Sequence, residues 1–180
     1  GVVVFLIVLL FFSFQSFGQV ELIPKPYSVE YQKGVYQYFT QIDVVLTDSE
    51  FSAAATLFSS YHSEFNSGLR FRSNRGSREE SITIQQVDTK EYSYVLTVNE
   101  NGVFLEASDL NGAIQGVQTV RQLLTLSRGD SDEFIIEIPY VVIKDFPRFE
   151  HRGLLLDCSR HFFSVATVKK YIDLLAFYKM

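Results

Sequence analysis

Between residues 151 and 164 the chain reads HRGLLLDCSRHFFS. Arg152, Asp157, Arg160 and two histidines, His151 and His161, crowd around the apolar triplet Leu154-Leu155-Leu156. Ionisable groups this dense beside a core segment make either a salt-bridge corner or the edge of an active site. On residue type alone, Arg152 reads as one half of a strand-end ion pair. Cys158 and His161 lie three apart without an evident third member, which makes a poor nucleophile pair. His62, His151 and His161 have no metal-ligand spacing, with His62 expected to face solvent, and no Gly-rich phosphate loop is present.

These residues need elements to hold them. Residues 151–157 read as a short apolar strand ending on an acid. Ser164 can cap a helix over residues 165–179, with Val168, Ile172, Leu175 and either Leu174 or Tyr178 on its inner face. Strand, polar link and amphipathic helix form one β/α unit, the repeating piece of a parallel barrel. Barrel enzymes work at the C-terminal ends of their strands, which would put Asp157, Ser159, Arg160 and His161 near the working face.

Upstream, Pro24 and Pro26 forbid a helix and favour an extended lead-in. Residues 41–47 read as a β-branched strand. Residues 51–66 read as a helix whose apolar face is Ala54, Leu57, Phe58, Tyr61 and Phe65, with Gly68 as its stop. Arg70, Arg72, Arg75 and Arg78 read as a solvated loop, the alternative being an anion or polysaccharide patch. Strands follow at 81–87, 92–98 and 103–107, the last two joined through Asn101-Gly102, a strong hairpin signal. Ser108 or Asp109 can cap a helix over 110–126 with Leu110, Ala113, Ile114, Val117, Val120 and Leu124 on one face. Gly112 and Gly116 inside that helix suggest close approach to a neighbour, because each costs about 1 kcal/mol relative to Ala. Residues 134–143 read as a strand interrupted at Pro139, hence an edge strand or two short pieces. Residues 19–145 are therefore expected to form an open sheet with two helices, an α+β layered domain, with a boundary at Asp145-Phe146-Pro147-Arg148.

Composition narrows the function classes. A chain of 180 residues holds one ordinary domain and not two full-sized ones. With 47% hydrophobic residues it can bury ample apolar area, and a net charge of −5 argues against a nucleic-acid-binding surface. One cysteine permits no intrachain disulfide. Residues 1–18 read as a secretory signal cut before Gln19, with Ser16 and Gly18 supplying the small residues before the cut. The run Val2–Phe12 falls short of the about 20 apolar residues a spanning helix needs. An uncleaved anchor and a buried strand are the competing readings. The missing basic start suggests that the natural N-terminus lies further upstream. Secretion or a periplasmic location follows, with no stable membrane insertion after cleavage.

FPRFEHRGLLLDCSRHFFSVATVKKYIDLLAFYKM resembles the opening of the catalytic barrel in the β-N-acetylhexosaminidases of glycoside hydrolase family 20. The likeness lies in Phe146–Phe149, the Arg152-Gly153 pair, the triplet, Asp157 and Ser159–His161. IPKPYSVEYQKG and NGVFLEASDLNGAIQGVQTVRQLL resemble the start and end of that family's small N-terminal domain. The resemblance implies an α+β N-terminal domain followed by the first β/α unit of a truncated (β/α)8 TIM barrel, over residues 19–145 and 146–180. It implies hydrolysis of terminal β-linked N-acetylglucosamine or N-acetylgalactosamine on oligosaccharides or glycoconjugates, with retention and without a metal or organic cofactor. The substrate's own acetamido oxygen is the nucleophile; this family is among the exceptions to the enzyme-carboxylate nucleophile. An adjacent Asp-Glu pair does the protein's part: the Glu protonates the leaving oxygen and the Asp orients the acetamido group.

Carried over residue by residue, the likeness makes Arg152 the group that hydrogen-bonds the terminal sugar's hydroxyls, a task suited to a planar fork of donors. Asp157, Arg160 and His161 become structural supports that brace the first loop, and Cys158 an inert buried thiol. The family's Asp-Glu pair is expected beyond Met180, which leaves these 180 residues inactive alone and poorly soluble. The competing class is a secreted non-catalytic glycan-binding or adhesion module.

Overall fold

A computed structural model of the chain describes residues 20–38, 43–63, 70–72, 81–88, 91–128 and 134–180. The expected signal segment, Phe65, Gly68, Arg75 and Arg78 lie outside the described residues, as does the side chain of His62.

Eight strands make one mixed sheet in the order β1-β8-β5-β6-β4-β2-β3, with β7 also on β8. They are β1 (Ser28–Tyr38), β2 (Asp43–Leu46), β3 (Arg70–Arg72), β4 (Ser81–Gln86), β5 (Tyr94–Asn99), β6 (Gly102–Ala107), β7 (Thr125–Arg128) and β8 (Phe134–Asp145). Helices α1 (Ser52–Ser63) and α2 (Leu110–Leu123) pack on one face, and α3 (Val165–Phe177) follows the sheet. The expected α+β layering of an open sheet with two helices is observed.

Alternation sets which face is buried. On β5, Tyr94, Leu96 and Val98 are buried while Val95 and Thr97 are half-exposed. On β4 and β8, Ile82, Ile84, Ile136, Ile138, Val141 and Ile143 enter the same core. The β5–β6 hairpin forms at the Asn-Gly pair. Asn99 Oδ1 accepts from the Asn101 amide at 2.9 Å, and Gly102 stands at φ +136, a conformation L side chains rarely adopt.

Helix α2 lies hard against the sheet. Asp109, not Ser108, caps it by accepting from the Gly112 amide at 2.8 Å. A Cβ on Gly112 would overlap the Ser93 carbonyl oxygen, and one on Gly116 would overlap the Leu105 side chain. Gly112→Ala is therefore expected to lower stability by about 2 kcal/mol, because overpacking against backbone outweighs the helix-propensity gain of about 1 kcal/mol. A thermal melt checks this, and a raised melting temperature would contradict the close approach. Gly116→Ala meets only a movable side chain and should cost less.

Five expectations change. β8 is one continuous strand inside the sheet, not an edge: β1 lines one side, and β7 then β5 line the other. Pro139 falls where the ladder changes from β7 to β5 and beside the irregularity in β1, so its missing N–H interrupts little. Arg70 and Arg72 stand on β3, paired parallel to β2, rather than in a loop. β1 extends the lead-in into an 11-residue strand. The second helix stops at Leu123 because Thr125–Arg128 pairs with β8 as β7. Finally, residues 151–157 form no strand. A strand exists through backbone bonds to a neighbour, and among the described residues none runs beside this segment; Leu155 is 92% exposed. Helix α3 forms as expected under its Ser164 cap, which accepts from the Thr167 amide at 3.2 Å. No residue of α3 is buried, and Ile172 and Leu174 on its apolar positions are exposed. No helix among the described residues is long and apolar enough to cross a membrane.

Candidate functional site

The residues singled out in the motif separate into two places. Asp157, Arg160 and His161 gather at the N-terminal end of α3. Asp157 Oδ1 accepts from the Ser159 amide at 2.9 Å and the Arg160 amide at 3.1 Å, a short side chain closing its own turn. Its other oxygen meets Arg160 Nε at 2.7 Å, in a pair whose arginine side chain is 91% exposed. Such a pair contributes about 0–1 kcal/mol, so it shapes the loop more than it stabilises the fold. His161 sets its ring edge-on to Phe163 at 5.0 Å, and Phe163 meets Tyr171 of α3 at 6.3 Å. Cys158 is exposed in this turn, which corrects the expectation of a buried thiol.

Arg152 lies at the opposite end of α3. It lines a cleft of about 160 Å³ with Pro24, Gln115, Asp145, Phe146 and Lys179. A second cleft, beside α2, is lined by Arg152 together with Asn111, Gln118, Glu150 and Lys179. Arg152 is half-buried and its guanidinium has no ion-pair or hydrogen-bond partner among the described residues, so the strand-end ion pair does not form there. Gln118 Oε1, buried on the wall of the second cleft, is likewise without a hydrogen-bond partner.

Beneath Arg152 is a buried polar cluster that the sequence reading missed. Lys179 Nζ donates to Tyr94 Oη at 2.9 Å and to Asp145 Oδ2 at 3.3 Å. Tyr94 Oη also donates to Asp145 Oδ2 at 3.0 Å and shares a 2.7 Å bond with Thr119 Oγ1. Asp145 Oδ1 takes the Tyr27 and Phe146 amides at 3.2 and 3.0 Å. Burial lowers the pKa of Lys179; the Asp145 carboxylate opposes that shift and the Arg152 charge adds to it. Burial, aided by the Asp145 charge, pushes the Tyr94 phenol well above its ordinary range, which keeps it neutral. One signal was available. On the helix expected over 165–179, positions 168, 172, 175 and 179 fall on one stripe, so a lysine at its end interrupts an apolar face and calls for a buried partner.

The clefts and the unpaired arginine could take a neutral, hydroxyl-rich ligand or a carboxylate. The family model described as glycosyl hydrolase family 20, domain 2, matches residues 19–146, and the one described as glycosyl hydrolase family 20, catalytic domain, matches residues 149–180. A beta-hexosaminidase of Vibrio furnissii is 31% identical over 160 residues, 89% of this chain and 25% of the relative. A beta-hexosaminidase of Porphyromonas gingivalis is 41% identical over 93 residues, 51% of this chain and 12% of the relative. Among solved structures, the GH20 exo beta-N-acetylglucosaminidase of Vibrio harveyi in complex with N-acetylglucosamine superposes with a TM-score of 0.76 at 30% identity, over 89% of this chain and 24% of that one. The beta-N-acetylhexosaminidase of Bacteroides fragilis gives 0.73 at 28% identity, over 91% and 31%. The chain spans a quarter or less of the length of these two curated relatives.

Proposed function

The chain belongs to glycosyl hydrolase family 20, and from that premise we propose that it serves an exo-β-N-acetylhexosaminidase acting on terminal N-acetylglucosamine or N-acetylgalactosamine of glycans. The observation that carries this reading is the catalytic-domain match over residues 149–180, which contains Arg152-Gly153, Asp157 and Ser159–His161 in one stretch. In this reading residues 151–157 and α3 are the first β/α unit of a barrel. The ladder bonds that residues 151–157 lack here come from neighbouring barrel strands, which would also cover Leu154 and Leu155. The acetamido oxygen of the substrate attacks the anomeric carbon as the leaving oxygen is protonated. Residues 149–180 contain no adjacent Asp-Glu pair of the kind this proton work calls for.

Within the chain, Arg152 holds the sugar by donating to its hydroxyls, and the unpaired guanidinium of this half-buried residue supports that role. Asp157, Arg160 and His161 brace the turn that leads into α3, at the other end of that helix from Arg152. The apolar run Val2–Phe12 supports export to the periplasm or beyond the cell. The product of the complete reading frame, assayed on chromogenic β-linked N-acetylglucosaminide and N-acetylgalactosaminide, is expected to release the chromophore. Binding of N-acetylglucosamine without turnover of either compound would instead mark a glycan-binding module and overturn the enzymatic reading.

A further inference from the structure

We propose that Lys179 is a positioning residue: seated between Asp145 and Tyr94, it fixes the end of α3, and with it Arg152, against the N-terminal domain. The proposal rests on the sugar-binding reading of Arg152 and adds how that arginine is held.

Three observations carry it. First, the ammonium is gripped from separate elements of the N-terminal domain. Tyr94 comes from β5, Asp145 from the end of β8, and Thr119 of α2 backs the Tyr94 hydroxyl. The position of the ammonium is thus set by the sheet and not by α3. Second, the backbone bends to deliver it. Lys179 stands at φ +58, a left-handed conformation that glycine adopts most readily. Its amide bonds Ala176 O at 3.1 Å and the Met180 amide bonds Leu175 O at 2.8 Å, the paired bonds of a left-handed helix stop. A lysine there accepts an unfavourable backbone because the turn aims its side chain back into the domain. Third, the ties of α3 to the N-terminal domain gather at its C-terminal end. None of its residues is buried. Two further ties to the N-terminal domain among the described residues also meet its last turn: Gln122 of α2 donates to Phe177 O at 2.9 Å, and the Arg121 guanidinium lies 4.9 Å from the Phe177 ring centre. Arg152 shares both clefts with Lys179, so a shift of this helix end moves the wall against which the arginine stands.

The test uses the product of the complete reading frame with Arg152→Ala, Lys179→Met, and the two combined. Lys179→Met is expected to raise KM about tenfold with kcat within about twofold, the pattern of a misplaced binding group. In the Arg152→Ala background the same substitution is expected to leave KM unchanged, because its effect runs through the arginine. Equal KM effects of Lys179→Met in both backgrounds would overturn the proposal. If Lys179→Met does not fold, Tyr94→Phe removes one anchor of the ammonium and is expected to raise KM about threefold in the parent alone; an unchanged KM overturns the proposal. Hydrogen exchange separates this from the sugar-binding reading. Seating predicts faster exchange of the last-turn amides of α3 in either variant, and unaltered exchange refutes it. Unaltered kcat/KM in Arg152→Ala refutes the sugar contact instead.

Discussion

Arg152→Ala, in the product of the complete reading frame, is expected to lose about 10²-fold in kcat/KM on a terminal N-acetylhexosaminide. The magnitude follows from the donors removed. Hydrogen bonds involving a charged group contribute about 1.5–3 kcal/mol each, and a fork holding two hydroxyls loses both at once. Part of that is regained when water replaces the guanidinium, leaving about 3 kcal/mol, and each 1.4 kcal/mol is a factor of ten. The loss should fall chiefly on KM, because hydroxyls remote from the anomeric carbon are held alike before and during bond cleavage. Arg152→Lys keeps the charge but not the planar fork, and should recover only part of the activity. The melting temperature should stay close to that of the parent, since Arg152 has no hydrogen-bond or ion-pair partner among the described residues. A melting temperature that drops while kcat/KM holds would assign the residue to the domain junction alone.

The second large effect concerns stability. Asp145→Ala should destabilise the fold by about 3–5 kcal/mol, measured by chemical or thermal denaturation. The substitution strips the carboxylate partner from the Tyr27 and Phe146 amides, removes one of the partners of Tyr94, and leaves the Lys179 ammonium, 3% exposed at its side chain, without a counter-charge. The pH dependence has a definite sign. The folded-state pKa of Lys179 lies below its ordinary 10.5, so the unfolded chain holds that proton more tightly. Stability from this residue therefore rises with pH across the window from the lowered value to 10.5. Without Asp145 the pKa falls further, the window opens at lower pH, and the deficit of the variant should narrow as the solution becomes alkaline. A deficit that is constant across that range would mean the lysine is not the group that suffers.

The comparison between sequence and structure divides along the range of the interactions. The hairpin at Asn101-Gly102, the Asp109 and Ser164 caps and the closely packed glycines of α2 were legible because each depends on bonds or sterics within a few residues, or on one face of one helix. The supporting role of Asp157 and Arg160 came only with the family resemblance; the turn they close on themselves is a finding of the structure. The expectation for residues 134–143 went astray because Pro139 was judged without its neighbours; only the change of partner from β7 to β5 shows why a proline fits inside the sheet. The strand expected at 151–157 failed on the opposite side of the same principle: an apolar triplet has strand character, but the ladder needs a second chain segment beside it.

What the sequence determined by itself is the hairpin, the helices and their caps, the sheet-and-helix layering that the apolar faces require, and the motif around Arg152; the short strands β3 and β7 were not legible, because each exists only through its pairing partner. What only the tertiary structure decided is which distant groups converge. Tyr94, Thr119, Asp145 and Lys179 come from two strands, a helix and a helix stop, with no spacing in the chain that links them. Their meeting is settled by strand order and helix placement, and these emerge from the sum of many weak, long-range contacts. The separation of Arg152 from Asp157, Arg160 and His161, close in the chain but at opposite ends of α3, was decided in the same way.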